Sequence, residues 1–464
     1  MKILLLSNAQ LKDALTHLGH EVTVRTDDAV EKLDVTHTEA DLIIVHESLG
    51  MRHLPHGIEK TCVPTVFYSV DVHLNLYWHR EYAQLFDYVF VAQKDYVPQL
   101  SHENAFWLPA SIHPGVFKDH HLERTHDMVF IGTIDEHRKK RKNILRELQK
   151  RFDVKVFGTD PGDRLSHTEM AKIYSQAKIA LNESILGEIT FRTFEAMACG
   201  PMLLTERVEN GLADLFEDGK EIITYDYHDI IEKADYFLNH PEERITIAEK
   251  GKHKVLKNHT SCQSAATMLA ALNKNNFRKR EAAQYKVMLH YGKALYFTGS
   301  KFPRHKARRL RRAESILKKT RLLFPDEYEP AVYLALAYAA KNSFARALEE
   351  LRIFNAKGAE NFFVLAALAC LEFREGSMEN AQKYYYDIFG KNFSTPDELY
   401  MNLALEYEKK GFLCAVGLVN SDGIPLHAID CYFNVRSLEG RVSAALLYYK
   451  LGLFESACAH ANGA

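Results

Sequence analysis

Residues 182–205 read NESILGEITFRTFEAMACGPMLLT, and the passage from helix to strand inside this segment decides the fold. Phe191 to Ala198 carries a helical pattern in which Arg192 and Glu195, three apart, share one face while Phe191, Phe194 and Ala198 point elsewhere for packing. Gly200 supplies a left-handed cap and Pro201 prevents the helix from continuing. Met202-Leu203-Leu204-Thr205 then reads as a short buried strand, so the segment is one step of a βα-wound parallel sheet.

The same alternation extends in both directions, from residue 1 to about 270. Strands are expected at 2–6, 21–25, 41–46, 65–69 and 87–92, which make one Rossmann-like domain over residues 1–115. Two prolines and a glycine in Trp107-Leu108-Pro109-Ala110-Ser111-Ile112-His113-Pro114-Gly115 break the pattern and mark a hinge. A second set at 128–131, 154–157, 179–182, 201–205 and 222–224 makes another such domain over 122–256, followed by a crossing helix at 257–274. Two such sheets in tandem leave a cleft, and their ligands sit beyond the carboxyl ends of the strands.

From residue 276 to 464 the strands vanish and helices rich in Ala, Leu and Tyr follow one another. Ala313, Ala347, Ala381 and Ala415 recur every 34 residues, Ala335 and Ala369 stand twelve before two of these marks and Ala445 twelve before Ala457, and Pro325 stands twelve after Ala313. Small residues where two helices cross and a proline at the repeat end give the tetratricopeptide (TPR) pattern, although a plain helical bundle also admits the spacing. Ala457 falls 42 residues past Ala415, so about eight extra residues enter around Asn420-Ser421-Asp422-Gly423.

With 47% apolar and 26% charged residues the chain folds conventionally, and a formal charge of −2 supplies no global field to attract nucleic acid. Seven scattered cysteines without a C-x-x-C pair argue against a disulfide framework or a zinc knuckle, which places the chain in a reducing cytoplasm. The N-terminus has a short apolar run that reads as a strand, and neither a signal peptide nor a transmembrane segment is expected.

The motif around Arg192 resembles the nucleotide-sugar signature of GT-B glycosyltransferases, in particular the bacterial spore-maturation type with its R-x-F-E-A-x-A-C-G core. Leu215-Phe216-Glu217-Asp218-Gly219, His240-Pro241-Glu242-Glu243-Arg244 and His259-Thr260 are similar to landmarks that follow it. The resemblance implies an α/β fold of GT-B architecture followed by an all-α TPR-like solenoid, with a nucleotide-diphosphate sugar as donor and no further cofactor. It also implies that Glu195 binds the ribose hydroxyls and that Arg192 faces the diphosphate, as a carboxylate and a guanidinium are suited to do. By spacing alone the two also fit a solvated ion pair.

A second family-like segment, Asp127-Met128-Val129-Phe130-Ile131-Gly132-Thr133, enters a helix near residue 136. Gly132 and Thr133, Arg138 at the helix start and Asn182 ahead of the motif join the expected donor site, Gly132 by allowing close backbone approach. Most of the basic run 138–142 reads as solvated surface. The pattern departs from many retaining members of this class, because the position eight before Glu195 is Gly187 and Glu188 stands seven before it. Retention or inversion stays open.

The first domain is expected to serve the acceptor. Asp71, in Ser69-Val70-Asp71-Val72-His73, is the first candidate for a base and His46 the second, although Asp71 also suits a helix N-cap. No metal is required where helix dipoles and cations hold the leaving diphosphate. The repeats suggest a protein or glycan acceptor, a protein partner or self-association, and the alternative to an enzyme is an inactive GT-B/TPR scaffold. Residues 301–312 hold seven Lys or Arg and no acid, a positive patch that also fits a solvated linker.

Overall fold

Leu42-Ile43-Ile44-Val45 and Val66-Phe67 offer no polar face to water, so each is stable only as an inner strand covered on both sides. In the computed structural model, which describes residues 1–26, 28–47, 53–134, 138–158, 165–358, 361–413 and 424–450, both lie inside a six-stranded sheet. Its strands are β1 (Lys2–Ser7), β2 (Glu21–Thr26), β3 (Leu42–His46), β4 (Thr65–Ser69), β5 (Tyr88–Val91) and β6 (Ala105–Trp107), in the order β2-β1-β3-β4-β5-β6. Every pairing is parallel. Edge strand β2 alternates exposed and half-buried residues, whereas β3 and β4 are buried throughout. Strand β6 is a correction: it is the sixth strand where the sequence pattern gives five, and three residues are too few to show a period.

Helices α1 (Lys12–His17) and α2 (Asp28–Lys32) follow β1 and β2, and α3 (Val72–Ala83) follows β4. The second sheet comprises β7 (His126–Ile131), β8 (Val154–Phe157), β9 (Ala177–Asn182), β10 (Met202–Glu206) and β11 (Ile223–Tyr225). Its order is β11-β10-β9-β7-β8, again parallel throughout.

Helices α4 (Lys139–Gln149), α5 (His167–Ser175), α6 (Phe191–Ala198), α7 (Leu212–Leu215), α8 (Ile230–Asn239) and α9 (Pro241–Asn258) cover both faces. Strand alternation sorts the core into two layers. Met128, Phe130, Ile179 and Leu204 pack with Ile144 of α4 and Phe237 of α8, whereas Val129, Ala180 and Leu203 pack with Tyr174 of α5 and Phe194 of α6.

The crossing helix expected over 257–274 is two pieces. Helix α9 ends at Asn258, Thr260 bridges to Ile112 and caps the next helix with Gln263, and α10 (Ser261–Lys274) buries Ala265, Met268, Leu269 and Leu272 against Ile3, Leu5 and Ile44 of the first sheet.

The chain forms two compact units, of which one holds both sheets as residues 1–73 and 87–279. The other joins Leu74–Phe86, most of α3, to the chain from Arg280 onward. In it α11 (Gln284–Lys301) pairs with α12 (Lys306–Leu323), α13 (Tyr328–Ala339) with α14 (Phe344–Asn355), and α15 (Phe362–Arg374) with α16 (Met378–Phe389). Helices α17 (Pro396–Lys409), α18 (Ala428–Tyr432) and α19 (Leu438–Lys450) follow.

Ala313, Ala347 and Ala381 sit on α12, α14 and α16, Ala335 and Ala369 on α13 and α15, and each is 0% exposed. The 34-residue period is thus a helix-pair period, with small side chains letting paired helices close. Ala415, Ala457 and residues 420–423 lie outside the described residues.

Candidate functional site

Parallel strands direct their carboxyl ends to one edge, and in the second sheet β7, β9 and β10 bring Ile131, Asn182 and Glu206 there together. Helix α6 starts at this edge. Thr190 precedes it in an extended conformation, and Gly200 with φ +96° turns the chain into β10, a conformation only glycine adopts without strain.

Arg192, in the first turn of α6, folds back over the strand ends. Its Nε donates to the Ile131 carbonyl at 2.7 Å, its Nη1 to Asn182 Oδ1 at 2.6 Å, and its guanidinium carbon lies 4.6 Å from the centre of the Phe130 ring. Gly132 is what lets it in: a Cβ there would stand 2.6 Å from Arg192 Nη2. The sequence reading gave Gly132 a close approach to its backbone; in the structure the guanidinium makes such an approach, and the Gly132 N–H is donated to the Phe157 carbonyl at 3.0 Å.

Asn182 orders Arg192. Besides Arg192 it binds Thr190 Oγ1 through Oδ1 at 2.8 Å and Thr205 Oγ1 through Nδ2 at 2.9 Å, and it is buried at 3% exposure. A side chain so engaged positions the cation.

Glu195, one turn further along α6, differs. It is half-buried, and among the described residues no hydrogen bond or ion pair reaches its carboxylate. Burial pushes its pKa up to about 7, against the pull of the Arg192 guanidinium. Burial also raises the pKa of the nearby Tyr174 hydroxyl, keeping it neutral beside the pair.

The basic run after Thr133 is the main correction to the sequence reading, which left most of it solvated. Arg141 is 4% exposed; its Nε meets Glu183 Oε2 at 2.6 Å and its Nη1 the Thr133 carbonyl at 2.8 Å. Lys140 bridges Glu206 at 2.8 Å and Glu183 at 3.4 Å, and Glu206 also accepts from the Ser184 N–H at 3.1 Å. Thr133 therefore contributes its carbonyl to Arg141, and Arg138 stands half-buried immediately before α4. Sequence reasoning missed Lys140, Arg141, Glu183 and Glu206. Only spacing along α4 could have found them, since Arg141, Ile144, Leu145 and Leu148 share its buried face.

Glu188, the near-miss of the paired-glutamate pattern, is engaged by the backbone. Its carboxylate accepts from Leu186 N at 2.7 Å, Ile185 N at 3.0 Å and Ser184 Oγ at 2.7 Å. Burial raises its pKa, but His73 and these donors outweigh that and lower it overall.

At the first sheet's edge, Glu47 is 5% exposed and accepts the N–H groups of Val70 and Asp71 at 2.7 and 2.8 Å. That fixes half-buried Asp71 immediately ahead of α3, the position of an N-cap. His46 is 1% exposed, with Nδ1 2.9 Å from the Glu47 carbonyl and its ring edge-on to Tyr68 at 4.7 Å. Burial lowers its pKa to about 4, so the imidazole is a weak base. The two edges meet through Gln93, whose amide exchanges hydrogen bonds with the Ile189 backbone at 3.0 and 2.9 Å, and through Asn210, which donates to Gln93 Oε1 at 2.6 Å.

Among the described residues no helix is long and apolar enough to cross a membrane. No curated protein matches the chain. Similar solved structures include sucrose-phosphate synthase from Thermosynechococcus elongatus (12% identity, 60% of this chain, 99% of that one, TM-score 0.42). Anabaena HepE in complex with UDP and glucose (13%, 59%, 100%, TM-score 0.43) and T4 phage BGT in complex with UDP-glucose (14%, 59%, 99%, TM-score 0.42) are two others. Residues 138–270 match the family described as glycosyl transferase-like. The matched span contains Arg141, Tyr174, Asn182, Glu183, Arg192 and Glu195.

Proposed function

We propose that the chain is a cytoplasmic GT-B glycosyltransferase, with two Rossmann-like domains and a TPR-like helical unit. It moves a sugar from a nucleotide-diphosphate donor to a protein or glycan acceptor. The observation that carries this reading is the Glu195 carboxylate: half-buried, without a donor among the described residues, and one helical turn from an anchored guanidinium. An ion that meets no partner in so confined a place is costly, and a ribose diol would supply its two missing hydrogen bonds. Arg192 and the start of α6 would then face the diphosphate, whose charge they offset without a metal.

The acceptor oxygen forms the new bond to the anomeric carbon, the anomeric C–O bond to the diphosphate breaks, and the acceptor proton passes to a carboxylate. We assign that carboxylate to Asp71 and withdraw His46, whose burial leaves it a weak base. The helical unit would bring the acceptor or a protein partner.

A scaffold without turnover is the second reading, and one observation favours it: Lys140 and Arg141 are already matched by Glu183 and Glu206. Donor hydrolysis and calorimetric titration with a panel of nucleotide sugars separate the two. Glu195→Ala is expected to weaken donor binding about tenfold or more, the size of a lost charge-assisted hydrogen bond. Asp71→Asn is expected to leave binding intact and slow transfer at least a hundredfold. Tight nucleotide binding by Glu195→Ala would sink the donor site, and binding without turnover in the unmutated chain would leave the scaffold.

A further inference from the structure

Helix α12 has the sequence KARRLRRAESILKKTRLL, with eight Lys or Arg and a single acid. Its inner face is settled: Leu310, Ala313, Leu317 and Thr320 are buried against the paired helix, and Arg321 reaches Glu350 at 3.0 Å. The acid, Glu314, is also engaged, accepting from Lys318 at 2.6 Å, from Arg346 at 3.3 Å and from Lys341. Nothing on α12 remains to balance its outer face.

That face is a continuous stripe. Arg308, Arg311, Ser315, Lys319 and Leu322 follow one another at steps of three and four, which keeps them on one side over roughly 21 Å at 1.5 Å per residue. Arg311, Ser315 and Lys319 are exposed and Arg308 is half-buried. Among the described residues none of these three cations, nor Lys301 at the end of α11 or Lys306 at the start of α12, makes an ion pair. The stripe ends in bare hydrocarbon, with Leu322 81% and Leu323 49% exposed.

We propose that α12 lies on an anionic lipid surface, its arginines and lysines among the phosphate headgroups and Leu322 with Leu323 entering the headgroup boundary. Cations alone would suit any polyanion. The two exposed leucines select lipid, because they gain by leaving water at a membrane interface and gain nothing along a sugar-phosphate backbone. The inference is independent of the donor site, since it rests on the helical unit alone.

The test is co-sedimentation of the full chain with phosphatidylcholine vesicles, with and without phosphatidylglycerol, at low and high salt. The chain is expected to pellet with the anionic vesicles only, and more weakly as salt rises. Arg308→Gln with Arg311→Gln should lower the partition about thirtyfold at the roughly 1 kcal/mol that each surface cation contributes, and should flatten the salt dependence. Leu322→Gln should weaken binding about fivefold while leaving the salt dependence in place. Both variants alter the solvent side of α12, so an unchanged melting temperature separates lost docking from lost folding. Equal pelleting with neutral vesicles, no pelleting with anionic ones, an unaffected double variant, or tighter binding to duplex DNA than to vesicles would each overturn the proposal.

Discussion

The two sheets present their carboxyl edges differently. At the second sheet's edge Arg192, Arg141, Lys140, Glu183 and Glu206 are tied into one network, and among the described residues Glu195 is left without a donor. At the first sheet's edge the buried acid, Glu47, serves backbone N–H groups, and the histidine is tucked beneath the strand ends. One edge is charged and pre-organised around a gap; the other mainly orders a turn. A site that must hold a charged ligand gains from having its cations fixed before the ligand arrives.

The sharpest way to break this contrast is to unbalance the network. Glu183 and Arg141 are 5% and 4% exposed and meet at 2.6 Å, so Glu183→Gln would leave a buried guanidinium without its counter-ion. Loss of one partner of a buried pair costs about 3–5 kcal/mol. Chemical denaturation is expected to show a loss near the lower end, because the Thr133 and Glu183 carbonyls still accept from Arg141. A loss below about 1 kcal/mol would show that the pair is solvent-relaxed and that the edge is less pre-organised than its geometry implies.

A smaller perturbation acts on the ligand and spares the fold. Gly132→Ala places a methyl group 2.6 Å from Arg192 Nη2, and the guanidinium must shift. If Arg192 holds the diphosphate, affinity for a nucleotide sugar falls about tenfold while affinity for the nucleoside alone changes little. Equal losses for both would mean that the glycine supports the whole pocket.

How far the sequence foretold this contrast depends on what each feature rests upon. The helix-to-strand passage from Phe191 to Thr205 was legible, because period, cap and proline are local signals, and the structure realises it as α6 and β10. The 34-residue recurrence of Ala313, Ala347 and Ala381 was legible for the same reason. The pairing of Lys140 and Arg141 with Glu183 and Glu206 was not, since the partners lie between 42 and 66 residues apart and meet only when α4 packs on the sheet. Nor was the inward turn of His46: its neighbours along the chain, Val45 and Glu47, do not reveal that Tyr68 of β4 covers it. Asn182 was singled out in the sequence for its place ahead of the motif, but its four side-chain partners are assembled only by the fold.

The mildest test concerns protons. Burial raises the Glu195 pKa to about 7 in the free protein, and a diol that donates hydrogen bonds to the carboxylate would bring it back down. Affinity for a nucleotide sugar should therefore be flat above about pH 7 and weaken below it, by up to tenfold per pH unit, until the lower pKa of the complex is reached. Folding stability moves oppositely: a carboxyl whose folded pKa is raised adds stability below its ordinary value, and that contribution is lost as pH climbs to about 7. A nucleotide sugar suits the measurement better than a free diphosphate, whose terminal phosphate titrates in the same range. In Glu195→Gln both slopes should vanish together, because one proton produces them. If the affinity slope survives that substitution, the proton belongs to another group, and the half-buried carboxylate at the second sheet's edge is not where the donor binds.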